Sequence, residues 1–126
     1  MKERVSSGSP LEPIIGFCRA VRTGKQIVVA GTAPIEPDGT TTPGDAAAQM
    51  ERCCAIVAKA IADLGGEITN VVRTRIYLTD RADFDRVAMV HGRWFGTARP
   101  ATTVVVVSGF IKPDWLVEIE AEVFEL

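Results

Sequence analysis

Two neighbouring segments near the C-terminus restrict the fold more than any other part of this chain. Thr103 to Val107 is apolar on both sides of an extended backbone, whereas Leu116 to Phe124 alternates. In the second segment Val117, Ile119, Ala121 and Val123 fall on one face and Glu118, Glu120 and Glu122 on the other, because successive strand side chains point in opposite directions. An alternating strand belongs to a sheet with one face on a core, and a strand without alternation is normally buried on both faces. A chain of 126 residues has enough material for a single core. Two helices covering one face of a sheet would leave the other bare. Burial of the valine run therefore calls for further copies of the chain against that second face.

The remaining elements follow from periodicity and punctuation. The first ten residues, rich in Ser, Gly and Pro, read as an irregular lead-in. Phe17 to Val21 and Gln26 to Ala30 are short β-prone runs joined by Arg22-Thr23-Gly24-Lys25, a hairpin turn. Prolines and glycines from Gly31 to Gly44 predict a long loop. From Asp45 the spacing of Met50, Cys54, Val57, Ile61 and Leu64 is helical, and Gly65-Gly66 stops the helix. Asn70 to Leu78 returns to period two, with Val72, Thr74, Ile76 and Leu78 expected on one face and Val71, Arg73, Arg75 and Tyr77 on the other. Asp83 to Phe95 reads as a second amphipathic helix with Phe84, Val87, Val90 (or His91) and Trp94 on its apolar side, ended by Gly96. The order β-β-α-β-α-β-β predicts a two-layer α+β fold, one domain over residues 1–126, with two helices on one face of the sheet.

Composition narrows the function classes. Fourteen basic against sixteen acidic residues, a net charge of -2, argue against a nucleic-acid surface, which carries a basic excess or stripe. Met1-Lys2-Glu3-Arg4-Val5-Ser6 contains no apolar secretory segment, and no apolar run approaches the roughly 20 residues that span a bilayer. Three cysteines, two of them adjacent at Cys53-Cys54, do not make a disulfide framework. The expectation is a cytoplasmic protein with no membrane or nucleic-acid partner.

Few residues carry chemistry. The glutamates of the last strand either form a solvated sheet face or place one carboxylate in a pocket between subunits, where partial desolvation raises its pKa and lets it activate water. Arg73 and Arg75 share a face and can pair with those glutamates across the sheet, and Arg75 can also clamp an anion. Arg19, two residues after Phe17, is a further anion-binding candidate. His91, the one histidine, lies on the second helix as a core or interface residue or as a base. The Gly31 N–H at a strand end can bind an anion. No His or Cys pair has metal-ligand spacing, and nucleophile-elbow, P-loop and dinucleotide fingerprints are absent.

Ile15-Gly16-Phe17, Val28-Val29-Ala30-Gly31-Thr32-Ala33-Pro34, Arg99-Pro100-Ala101 and Val117-Glu118-Ile119-Glu120-Ala121 together resemble the Rid family, also called YjgF or endoribonuclease L-PSP-like. The resemblance covers nearly the whole chain. It implies a chorismate-mutase-like α+β fold assembled as a homotrimer, with small-molecule clefts at the subunit interfaces. Its best-known members hydrolyse reactive 2-imino and enamine acids to 2-keto acid and ammonia, without a cofactor. In those members an arginine directly after Pro-Ala clamps the substrate carboxylate, helped by the backbone N–H matching Gly31, and a glutamate matching Glu118 holds the attacking water.

In this chain the arginine position is Thr102, the expected tyrosine is Phe17 and the expected serine is Ala30. An asparagine position falls at Ala88 and a cysteine position at Val104. The resemblance thus assigns Phe17, Ala30, Gly31, Ala88, Thr102 and Val104 to the ligand and Glu118 to catalysis. A charge-assisted arginine–carboxylate contact contributes on the order of 1.5–3 kcal/mol, which a threonine cannot replace. Either Arg19 or Arg75 takes over, or the ligand differs from a small imino acid. The functional expectation is a deaminase or related C–N hydrolase with an altered substrate, or else a non-catalytic small-metabolite-binding trimer. A ribonuclease fits poorly with the charge balance.

Overall fold

A computed structural model describes residues 2–126 of the chain. Among them, β1 (Lys2–Val5), β2 (Ala20–Thr23), β3 (Gln26–Thr32), β4 (Val71–Leu78), β5 (Ala101–Val106) and β6 (Val117–Phe124) form one sheet, ordered β1-β2-β3-β6-β4-β5. Two long helices, α1 (Ala46–Asp63) and α2 (Phe84–Phe95), cover one face of it. The core consists of Ile27 and Val29 of β3, Ile76 and Leu78 of β4, and Val117, Ile119, Ala121 and Val123 of β6, packed against the buried stripes of the helices. The two-layer α+β architecture read from the sequence is the one that forms. Among the described residues, no helix is long and apolar enough to cross a membrane.

Local chemistry accounts for the elements. The Asp45 side chain caps α1 by accepting from the Ala48 N–H at 2.9 Å. At the other end Gly65 adopts φ +74°, with Gly66 N–H bonded to the Ile61 carbonyl and Gly65 N–H to that of Ala62. This is the left-handed termination that glycine permits. Met50, Cys53, Cys54, Val57 and Ile61 make the buried stripe. The β2–β3 hairpin turns at Gly24, φ +60°, as the turn residues require. The β3–α1–β4 crossover skips one strand position, which β6 fills antiparallel to both neighbours, and the β4–α2–β5 crossover sets β5 beside β4 in parallel.

Several expectations are corrected. Lys2–Val5 is a strand paired with β2, not an irregular lead-in. Its charged, exposed residues carry no alternation because it is an outer strand. The second strand begins at Ala20, leaving Phe17 after a short π-helical segment, Glu12–Gly16. On β4, Val71 is buried and Val72 is half exposed, the reverse of the expected faces. The register with β6 shifts between Val71 and Arg73, so one extra residue flips the alternation. On α2 the anchor is Phe95, which is fully buried, whereas Phe84 at the first turn is largely exposed. Finally, the valine strand does not adjoin the glutamate strand: β5 is the outer strand beyond β4, and Val105 and Val106 are 40% and 54% exposed in the single chain.

Candidate functional site

Glu118 stands on the sheet face away from the helices, next to an irregularity in β3. Val29 pairs with Ala121 and Thr32 with Ile119, so Ala30 and Gly31 together oppose Glu120. This bulge presses the Gly31 backbone toward Glu118, and a Cβ added to Gly31 would lie 3.2 Å from Glu118 Oε1. Glycine at 31 therefore makes room for the carboxylate. Arg19 Nη2 donates to the Gly31 carbonyl at 2.6 Å, and the backbone of Arg19 bonds both Val5 and Ala30. Arg19 Nε is buried without a partner. Burial pushes the Glu118 carboxyl above the usual glutamate range, and the Arg19 charge opposes that rise. Arg19 is itself lowered by burial and held up by Glu118. Chemically, a half-buried carboxylate with a raised pKa is able to accept a proton near neutral pH.

Thr102 stands elsewhere, on the outer strand and on the helix side of the sheet, in register with Thr74. Its Oγ1 lies 2.8 Å from Thr74 Oγ1 and donates to the Pro100 carbonyl at 3.1 Å. Thr74, fully buried, also meets His91 Nε2 at 2.8 Å. Burial lowers the His91 pKa, and its ring packs against Phe95 with centroids 4.8 Å apart. Val104 sits two residues along the same side of β5, and Ala88 one turn before His91 on α2. The sequence-derived candidates thus divide into two groups. Arg19, Ala30, Gly31 and Glu118 converge with Phe17 close by in the chain. Ala88, Thr102 and Val104 gather at the opposite edge strand and its covering helix.

Arg75 joins neither group. It is engaged by Glu120 at 3.1 Å and Glu122 at 3.6 Å, with Arg73 on Glu122 at 3.4 Å and the Tyr77 hydroxyl on Glu120. The Tyr77 pKa is raised, chiefly by that bond to Glu120. Phe17, Glu12, Gly16 and Cys18 line an open depression of about 440 Å³ at the start of β2. Among the described residues no cluster of three or more His, Cys, Asp or Glu is arranged to hold a metal.

Periodicity gave no notice of Gln49 or Arg52. Gln49, buried on α1, bonds the backbone of Thr42, Asp114 and Leu116, and Arg52 Nε donates to the Ile35 carbonyl at 2.8 Å. A glutamine among the apolar positions of a helix is the one signal the sequence offered.

Residues 8–125 match the endoribonuclease L-PSP family. An uncharacterised protein of Streptomyces coelicolor is 40% identical over 121 residues, spanning 96% of this chain and 90% of the relative. The 3-aminoacrylate deaminase RutC of Acinetobacter baylyi is 31% identical over 113 residues, 89% of this chain and 88% of that protein. The crystal structure of Rv2704 from Mycobacterium tuberculosis, a member of the YjgF family, matches with a TM-score of 0.88 at 41% identity, covering 98% of this chain and 99% of that one. On the family match over residues 8–125 and the shared fold, this chain belongs to the endoribonuclease L-PSP, or Rid/YjgF, family.

Proposed function

We propose that this protein hydrolyses a small metabolite with a C=N or enamine bond, in clefts between the subunits of a homotrimer, with Glu118 activating the water. The observation that carries this reading is the environment of Glu118: half-buried, against the Gly31 backbone, raised by desolvation and opposed by Arg19. The chemistry balances without a cofactor. Water adds to the imine carbon while Glu118 takes one of its protons. That proton passes to the nitrogen to give a carbinolamine, Glu118 then relays the hydroxyl proton to the same nitrogen as the C–N bond breaks, and a carbonyl compound and ammonia leave. A relative named as a 3-aminoacrylate deaminase supports the same bond type.

The trimer is supported by two features. The ligand-side candidates fall into two separate groups of one chain, one around the β3–β6 bulge and one on the outer strand β5, so a shared cleft requires one group from each of two copies. The sheet face opposite the helices also leaves Val28 and Val105 exposed beside the Arg–Glu network. The substrate is expected to differ from a 2-imino acid, because Thr102 carries no charge and Arg75 is already paired. That same neutral Thr102 favours the second reading, a trimer that binds a small metabolite without turning it over.

An assay separates the two. 2-Iminopropionate generated in situ by an amino-acid oxidase is followed with and without the protein. Accelerated loss that Glu118→Ala abolishes would establish a hydrolase that accepts a 2-imino acid despite the neutral Thr102. No acceleration by the wild type, with activity gained in Thr102→Arg, would assign this chain a different ligand.

A further inference from the structure

The proposed hydrolysis makes no use of the His91–Thr74–Thr102 chain, whose hydrogen-bond directions follow from one end, the bond from Thr102 to a carbonyl. The Pro100 carbonyl can only accept, so Thr102 is the donor in their 3.1 Å bond. A hydroxyl has one hydrogen. Thr102 must then accept in its 2.8 Å contact with Thr74, whose own hydrogen is committed to that bond. Thr74 can in turn only accept from His91 Nε2, at 2.8 Å, so this ring nitrogen carries a hydrogen. Thr74 is 0% exposed, so its hydroxyl has no bulk solvent to turn to and its partners here are these two side chains. The lowered His91 pKa is consistent with a neutral ring that has one N–H to give. The polarity runs one way, from His91 through Thr74 and Thr102 to the carbonyl.

At the exposed end of this chain the Thr102 hydroxyl has spent its hydrogen and accepted one bond, leaving one lone pair. We infer that Thr102 is a specificity residue that accepts a hydrogen bond from the ligand, with Thr74 and His91 as positioning residues fixing that polarity. The ligand group at this point is then a neutral N–H or O–H donor, such as a primary amide, and not a carboxylate. Two acceptors facing each other repel, and a carboxylate brought against Thr102 also loses hydration without replacement. This inference rests on the reading that Thr102 lines the ligand cleft. It does not depend on whether the ligand is hydrolysed.

The chain has one histidine, so its tautomer is read without ambiguity from 15N–1H correlation spectra of labelled protein. The expected result is the neutral Nε2–H form, with the pattern moving toward a tautomer mixture in Thr74→Val. An Nδ1–H form in the wild type would overturn the proposal. Titration with pyruvamide and pyruvate then reads the ligand preference. Pyruvamide is expected to bind roughly fivefold tighter or better, with the difference falling within about twofold in Thr102→Val. Tighter pyruvate binding, or no binding of either probe, would overturn it. Glu118→Gln should keep the amide preference while losing any hydrolysis. A wild type that hydrolyses nothing but retains both the tautomer and the preference would sink the hydrolase reading alone.

Discussion

Replacing Gln49 with leucine tests whether the loops around the site are held by one buried amide. Gln49 is 3% exposed on α1. Its Nε2 donates to the carbonyls of Asp114 at 2.9 Å and Thr42 at 3.3 Å, and its Oε1 accepts from the Leu116 N–H at 2.8 Å. It thereby joins the loop after β3 to the segment entering β6, two residues before Glu118. Leucine has a similar volume and none of these partners. Three bonds at about 1 kcal/mol each, less about 1 kcal/mol returned by burying the apolar side chain, leave a loss of about 2 kcal/mol. With an unfolding entropy of about 2.1 cal/mol/K per residue, Tm should fall by about 7 °C. Differential scanning calorimetry at one fixed protein concentration measures this, since an oligomer's Tm depends on concentration. A fall of less than about 2 °C would mean that water satisfies the three backbone groups and that Gln49 is not a structural tie.

Two further substitutions address the Glu118 corner. Gly31→Ala places a Cβ 3.2 Å from Glu118 Oε1. The flexible carboxylate can yield, so Tm should change by less than about 3 °C, whereas, on the proposed role of Glu118, its displacement should lower turnover about tenfold or more. Activity within about twofold of wild type would show that the Glu118 position is not critical. Arg19→Met removes the charge that opposes the raised Glu118 pKa, so that pKa should rise further and the acidic limb of a pH–rate profile, where the base becomes protonated, should move to higher pH. The stability sign follows. A glutamate with folded pKa above its unfolded value keeps its proton longer when folded, so stability is fully present below the unfolded pKa and is lost as pH rises through the folded one. Chemical denaturation at pH 4 and pH 7 should show a larger loss across that interval in Arg19→Met than in wild type. Equal losses would refute the coupling. The missing Arg19–Gly31 bond lowers stability at both pH values and cancels in the difference.

The fold was legible wherever one residue type answered to one face. The β6 alternation, the α1 stripe with its glycine stop and the Gly24 turn all formed as read, because burial and backbone conformation select those residues directly. What failed to register was set by pairing. The bulges at Ala30–Gly31 and Val71–Val72 each insert one residue, and nothing local in Val-Val or Ala-Gly marks an insertion. Gly31 was legible as a special position, but not the reason for it: the constraint is space for a carboxylate from β6, not a left-handed backbone. The Thr74–His91 contact was equally silent, since one partner read as a strand residue and the other as a helix residue.

The three glutamates of β6 show how a neighbouring strand singles out one carboxylate. Alternation places Glu118, Glu120 and Glu122 on one face and gives no reason to prefer any of them. Antiparallel pairing sets Arg73 against Glu122, Arg75 against Glu120 and Tyr77 against Glu118. The two arginines engage Glu120 and Glu122, and the Tyr77 hydroxyl turns back to Glu120 and away from its own partner. Glu118 is the one left without a cation from β4, and the charge nearest it comes from Arg19 across the β3 bulge, where the guanidinium is occupied by the Gly31 carbonyl. The free carboxylate is therefore selected by the spacing Arg73-x-Arg75-x-Tyr77, read against β6 in reverse. A tyrosine where a third arginine would complete the ladder is what leaves Glu118 available to water.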